Sequence, residues 1–300
     1  MEPIVVEVTR GPVVEARHLV HAVAVRDGRV ELVAGDPGLL TLLRSSAKPI
    51  QALPVVRARP DLDDEQVALL CASHRGSPNQ LHVVRRILED APAHEDDLDC
   101  VAGAPQVEHM CSGKHAGFLA LCRAEGWPLE GYRAAEHPCQ RAMLAELAAV
   151  AEVDPGSIPV AIDGCGVPTF GLSLERVAHA FARLPSMAGG DRVVGAMHAW
   201  AELLEGPVGV DARFPVAVDG WVGKGGAEGL FCAASADGLG VALRTTDGAF
   251  RALAPALHDV LDRLGIEHGD LEDGVVRNAH GEPVGQLRVA PSEHLEQGRK

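Results

Sequence analysis

Three short stretches of this 300-residue chain hold side chains whose type and spacing can do chemistry. The first is Arg44-Ser45-Ser46-Ala47-Lys48-Pro49, which contains a Ser-x-x-Lys. At i and i+3, Ser45 and Lys48 share one face of a helical turn, so an uncharged lysine amine there can take the serine proton. Pro49 is tolerable only in a first helical turn, which puts Ser45 at or just before a helix start. Unbonded backbone N–H groups and the positive end of the helix dipole would then stabilise an oxyanion. The plain alternative is a serine N-cap followed by a surface lysine.

The second stretch is Gly220-Trp221-Val222-Gly223-Lys224-Gly225-Gly226-Ala227-Glu228-Gly229. Its five glycines, in strand-like sequence, let the backbone come close to a ligand, and a lysine lies among them. A Lys-x-Gly strand accompanies Ser-x-x-Lys in serine β-lactamases and penicillin-binding proteins, with a further serine element between the two. Here Ser73-His74-Arg75 holds the intermediate place in the chain. The competing reading is a glycine-rich hairpin with its lysine in solvent.

The third stretch joins Cys111-Ser112-Gly113-Lys114-His115 to Asp163-Gly164-Cys165-Gly166. It is not a phosphate-binding P-loop, because Glu108 and His115 stand where that motif needs glycine and serine or threonine. Two cysteines near histidine, lysine and aspartate can hold a soft or borderline ion such as zinc, with thiolates as the strong ligands. Buried free cysteines are also common in cores.

The elements that must position these groups fall into three blocks. Residues 4–35 read as antiparallel strands: Ile4–Val8, Val13–Arg17, His21–Arg26 and, after an Asp27-Gly28 turn, Val30–Val33. From about 45 to 205 the period is helical. Asp63-Asp64-Glu65 opens one helix, Leu81, Val84 and Ile87 face another, and Met143, Leu144, Leu147 and Val150 a third. Strand signals return at Pro215–Val218, Gly229–Ala233 and Gly240–Arg244, followed by a helix at 248–264 and a short strand around Val284–Val289. Alternating β-α-β-α is absent, which disfavours a doubly wound parallel sheet. The expected class is α+β: one antiparallel sheet from the N- and C-terminal strands, with a large helical block inserted. We expect a single domain over 1–300, with strands in 1–44, helices in 45–205, and strands plus a closing helix in 206–300.

Composition narrows the partners. With 47% apolar residues the chain can bury a sizeable core, and its net charge of −15 comes from scattered acids rather than a disordered tail. Phosphate binding wants a concentrated basic face, and the best cluster, Arg85-Arg86, is two residues on one turn. No apolar run approaches the roughly 18 residues of a membrane span. Seven cysteines without a C-x-x-C pair read as reduced thiols, and the N-terminus lacks a leader pattern, so a cytoplasmic protein is expected. Cys71, Cys100, Cys122, Cys139 and Cys232 sit in apolar or helical surroundings and are expected in the core.

Arg-Ser-Ser-Ala-Lys-Pro, Ala-Ser-His, Cys-Ser-Gly-Lys-His, His-Pro-Cys-Gln, Asp-Gly-Cys-Gly-Val-Pro and Lys-Gly-Gly-Ala-Glu-Gly together resemble the bacterial L-asparaginase II family of the Rhizobium etli type, also called class 3 asparaginases, from about residue 4 to 245. The resemblance implies a fold similar to serine β-lactamases and glutaminases, a homodimer, and hydrolysis of L-asparagine to L-aspartate and ammonia. It implies two serine–lysine tandems, matched by Ser45 with Lys48 and Ser73 with Lys224. It also implies a zinc ion held by Cys111, Cys165 and Lys114, beside Asp163, that aids substrate binding more than bond breaking. A lysine ligand must first lose its proton, which the charge of zinc favours.

The expected mechanism is acyl transfer. Lys48 deprotonates Ser45, Ser45 attacks the side-chain amide, Ser73 tuned by Lys224 passes a proton to ammonia, and water cleaves the seryl ester. Arg44 is expected on the substrate carboxylate, Asp163 or Glu228 on its ammonium, and His74 with them around the substrate. Lys48, Lys114 and Lys224 should therefore converge on one pocket. Two other readings stand beside this one: a glutaminase or other small-amide hydrolase on the same machinery, and a non-catalytic protein that binds zinc or a small ligand. The stretch after 265 receives no role.

Overall fold

The computed structural model describes residues 1–205, 210–271 and 274–291. Its first strands are β1 (Ile4–Arg10), β2 (Val13–Arg26) and β3 (Arg29–Ala34). The two strands expected at 13–17 and 21–26 are one long strand, β2. Its first half pairs with β1, Ile4 lying opposite Val20, and its second half with β3, Ala22 lying opposite Ala34.

The middle block is mostly helical: α1 (Lys48–Ala58), α2 (Asp64–Leu70), α3 (Pro78–Asp90), α4 (Ser112–Glu125), α5 (Pro138–Ala151), α6 (Leu174–Arg183), α7 (Gly190–Ala199) and α8 (Ala201–Leu204). Helices α2 and α3 open on capping boxes, Asp63 with Gln66 and Ser77 with Gln80, which satisfy backbone donors that a helix start leaves bare. A small second sheet, unforeseen in this block, joins β4 (Leu40–Leu42), β5 (Val160–Ile162) and β6 (Pro168–Ser173) in the order β4-β6-β5.

One expected strand is a helix. Pro215–Val218 reads as β-branched and extended, yet α9 covers Val210–Ala217. Val216 is 81% exposed while Phe214 and Pro215 are buried, so the run is not half-buried in alternation as a strand would be. Phe214 instead packs edge-on against Trp221 and Phe231, and this aromatic contact fixes the helix on the sheet.

The chain then returns to the large sheet with β7 (Trp221–Gly226), β8 (Leu230–Ser235) and β9 (Leu239–Thr245). Helix α10 (Leu253–Leu264), β10 (Val275–Arg277) and β11 (Pro283–Val289) complete the described chain. The strand order is β10-β11-β1-β2-β9-β8-β7, with β3 also on β2 and every pair antiparallel. N-terminal and C-terminal strands meet at β2 and β9, where Ala22 faces Leu243. The fold is thus the expected α+β arrangement. Parts of the stretch after 265, including the tail from 292, lie outside the described residues.

Alternation along the strands divides the core in two. Val23, Val25, Cys232, Ala234 and Ala242 face the helical block, while Ala22, Ala24, Phe231, Ala233, Val241 and Leu243 face α10. All seven cysteines are buried and free. No helix among the described residues is long and apolar enough to cross a membrane.

Helix α6 lies so close to the sheet that a Cβ at Gly240 would come within 2.1 Å of the Ala178 carbonyl and 2.3 Å of the Ala182 nitrogen. Gly240→Ala must push backbone from backbone. Urea unfolding should show a loss of roughly 2–3 kcal/mol, the upper range for overpacking. An unchanged midpoint would mean that the contact between α6 and β9 is not tight.

Candidate active site

The site is a cavity of about 630 Å³ between the helical block and the β7 edge of the large sheet. Ser45, Ser73, Cys111, Asp163, Cys165 and Lys224 all line it. They arrive from five places: the turn before α1, the segment after α2, the N-terminus of α4, the β5–β6 turn and β7.

The start of α1 is built as the Ser-x-x-Lys-Pro pattern requires. A 3-10 turn at Arg44–Ala47 runs into α1, with Pro49 in its first turn. Arg44 has φ +50, a left-handed conformation that costs a non-glycine residue energy. It is held there by a bond from its own backbone N–H to Thr169 Oγ1 at 3.1 Å and from its Nε to Asp163 Oδ1 at 2.5 Å. Ser45, the next residue, is half-buried and open to the cavity. The glycines of β7 serve this approach: a Cβ at Gly226 would lie 2.6 Å from the Leu43 carbonyl.

Lys48 is 1% exposed, and its amine points beneath the cavity. Nζ donates to the Ala72 carbonyl at 2.5 Å, to Ser73 Oγ at 3.1 Å and to the Met110 carbonyl at 3.5 Å. Burial lowers its pKa below the usual lysine value; the Cys111 thiolate opposes this, and the Lys224 and Lys114 cations add to it. The expected local tandem of Ser45 with Lys48 is therefore not the hydrogen-bonded one. The amine reaches past its own helix to Ser73.

Lys224 is likewise not on Ser73. It pairs with the carboxylate of Asp211 and donates to the Gly225 carbonyl at 3.0 Å. Asp211 also accepts from the Gly225 backbone N–H at 2.7 Å, so α9 is stitched to β7 at this point. Both partners are buried, and an ammonium taken out of water needs a counter-charge more than a hydroxyl. Asp211 went unnoticed in the sequence because its segment, Gly-Val-Asp-Ala-Arg, carries no motif.

Two substrate-side expectations are corrected. His74 is 1% exposed, with Nε2 2.8 Å from Ser112 Oγ, and Nδ1 accepting from the Gly76 N–H at 3.2 Å. Burial and then Lys48 lower its pKa to about 4, so it is a neutral strut between the Ser73 segment and α4. Glu228 lies exposed on the β7–β8 turn, with φ +63, and does not line the cavity. Arg44 and Asp163 do line it, but each is engaged by the other.

The third group converges as expected. Lys114 Nζ lies 3.1 Å from Cys165 Sγ, the Cys111 and Cys165 thiols hydrogen-bond to each other, and Asp163 Oδ2 is 3.9 Å from Cys165 Sγ. The bond from Cys165 pulls the Cys111 thiol well below its ordinary pKa against the cost of burial, helped by Lys48 and Lys114. No group of three or more His, Cys, Asp or Glu among the described residues is disposed to hold a metal. Two thiols and an amine remain as a donor set, and sulfur with nitrogen suits zinc.

Removing Asp211 leaves Lys224 buried without its counter-charge. Asp211→Asn should lower unfolding free energy by roughly 3–5 kcal/mol, the usual cost of breaking one side of a buried pair. A loss below about 1 kcal/mol, the range of surface pairs, would mean that the pair is solvated.

A model of the L-asparaginase II family matches residues 6–289. Among solved structures, Mglu in its native form in the presence of 4.3 M NaCl aligns with a TM-score of 0.52 and 14% identity, over 85% of this chain and 62% of that one. Another native Mglu structure aligns with a TM-score of 0.49 and 13% identity, over 87% and 70%. A β-lactamase from Mycobacterium bovis aligns with a TM-score of 0.42 and 17% identity, over 82% and 94%. No curated protein matches the chain.

Proposed function

The chain belongs to the L-asparaginase II family, and from that premise we propose that it hydrolyses L-asparagine to L-aspartate and ammonia through an ester on Ser45. The observation that carries the reading is the hydrogen bond from the buried Lys48 to Ser73, in a cavity that Ser45 also lines. A lysine whose burial favours the free amine is a base, and Ser73 is the hydroxyl in its grasp. Ser45 is the better nucleophile because it stands half-buried on the cavity lining, where the substrate can reach it. The backbone N–H of Ser73 is already given to the Leu204 carbonyl.

Ser73 takes the Ser45 proton while handing its own to Lys48 Nζ, and Ser45 Oγ bonds to the amide carbon. The C–N bond then breaks, and the proton returns from Lys48 through Ser73 to the departing ammonia. Water, deprotonated by the same pair, cleaves the ester and restores Ser45. Cys111, Lys114 and Cys165 would hold a zinc ion, which as a Lewis acid would help seat the substrate.

Ser45→Ala and Lys48→Ala should each lower ammonia release from L-asparagine by roughly 10³-fold or more, the scale of losing a nucleophile or its base. Full release by either variant, or a trapped acyl group on Ser73, sinks this assignment; L-glutamine measured alongside reads the substrate preference. Because free Lys48 is the active form, the rate should climb with pH along a limb below the ordinary lysine value of 10.5, and Lys48→Ala should lack that limb. Protein purified without chelator should contain stoichiometric zinc that the double change of Cys111→Ser and Cys165→Ser removes; unchanged zinc content would rule out these ligands.

A further inference from the structure

A chain of three side chains outside the serine–lysine machinery ends in the same cavity. Arg251, in the short 3-10 turn Phe250–Ala252, lines that cavity. Its Nε donates to His18 Nε2 at 2.9 Å, and His18 Nδ1 lies 2.6 Å from Asp247 Oδ2. A guanidinium can only donate, so His18 Nε2 accepts, and the ring proton sits on Nδ1, given to Asp247. His18 is 5% exposed within β2. Asp247 is fixed in turn by the Ala249 N–H on its Oδ1 at 3.0 Å, and the loop is tied to β2 by the Thr246 N–H on the Leu19 carbonyl at 2.9 Å.

The consequence is an arginine anchored through Nε alone. Its terminal nitrogens have no hydrogen bond or ion pair among the described residues, and a planar fork of N–H donors of that kind fits one carboxylate with two parallel bonds. The other cations lining the cavity are already neutralised: Arg44 by Asp163, Arg75 by Glu205 and Lys224 by Asp211. Its anchor, moreover, is an imidazole rather than a carboxylate, and Arg251 is exposed on the cavity lining, so its outer nitrogens are open to an anion.

We propose that Arg251 binds the α-carboxylate of an amino-acid substrate, oriented by His18 and Asp247 as positioning residues. This rests on the amidohydrolase reading above and specifies its substrate class: amides that carry a carboxylate. It moves the carboxylate site away from Arg44, whose guanidinium is committed to Asp163 and to the strained turn before Ser45.

The test compares ligands with and without that carboxylate, by binding as well as turnover. Calorimetric titration of L-aspartate and of β-alanine, its decarboxylated counterpart, should show aspartate weakened by roughly 10- to 100-fold in Arg251→Ala and β-alanine unchanged, the size expected for losing a charge-assisted bidentate contact. KM for L-asparagine should rise by a like factor while that for 3-aminopropanamide stays put. Arg251→Lys should recover part of the loss, and Asp247→Asn should raise KM part-way with kcat kept. Equal weakening of both ligands, or a wild-type protein that binds the two alike, overturns the assignment. Arg251-dependent aspartate binding without ammonia release from asparagine leaves the assignment standing and removes the amidohydrolase reading instead.

Discussion

Three ammonium groups cannot be buried around one cavity unless each finds a different answer to the same electrostatic cost. Lys48 and Lys224 are 1% exposed and Lys114 is 4% exposed. Lys224 is answered by the Asp211 carboxylate, and Lys114 by the Cys111 and Cys165 sulfurs, which hold its pKa above the ordinary lysine value against the cost of burial until a metal takes the amine. Lys48 has only a hydroxyl and two carbonyls around its amine, while its charged neighbours include two cations. Desolvation and like-charge repulsion then act together, and releasing the proton is the way out. Lys48 is thus driven toward the free amine first by burial, with the Lys224 and Lys114 cations adding to the effect and the Cys111 thiolate working against it. The rest of the site can be understood as the set of partners that makes this division hold.

The fold serves that division by bringing five separate segments to the β7 edge of the sheet. Pairing of β2 with β9 joins the ends of the chain, and alternate residues of the strands bury one set against the helical block and the other against α10. The glycines of β7 are needed because two partners must approach its backbone. Leu43 comes in ahead of Ser45 on one side, and Asp211 on the other, where a Cβ at Gly225 would sit 3.0 Å from its carboxylate. The low side-chain content of this strand follows from what it must let in.

The three-block order and the motif-bearing segments were legible because they depend on local pattern. Pro49 in a first turn, Asp63 at a helix start, and the periodicity of α3 and α5 are written within a few residues. Partner choice was not, since it depends on what distant segments deliver. The i, i+3 spacing of Ser45 and Lys48 permits a contact, but a long side chain also reaches Ser73, and only the packing of α1 on the segment after α2 decides. Pro215–Val218 misled for a similar reason: its β-branched residues suit a strand, while the aromatic contacts of Phe214 favour a helix. A usable signal lay in composition. Four of the 27 basic residues are lysines, and apart from the terminal Lys300 all of them line or underlie the cavity.

That scarcity gives the arrangement its chemical sense. Arginine stays charged in any protein environment, so it serves where a fixed cation or a planar fork is wanted, as at Arg44 and Arg251. Lysine can change its protonation when buried, and Lys48 and Lys114 stand where an amine must either give up its proton or sit among sulfur neighbours in place of a carboxylate. An Arg at position 48 would keep its charge against the neighbouring cations and could not take a proton from Ser73. A Lys at position 251 would offer a point charge in place of a fork. The two basic residue types are therefore not interchangeable at these positions: Lys48 supplies a movable proton, and Arg251 a fixed fork of donors on the cavity lining.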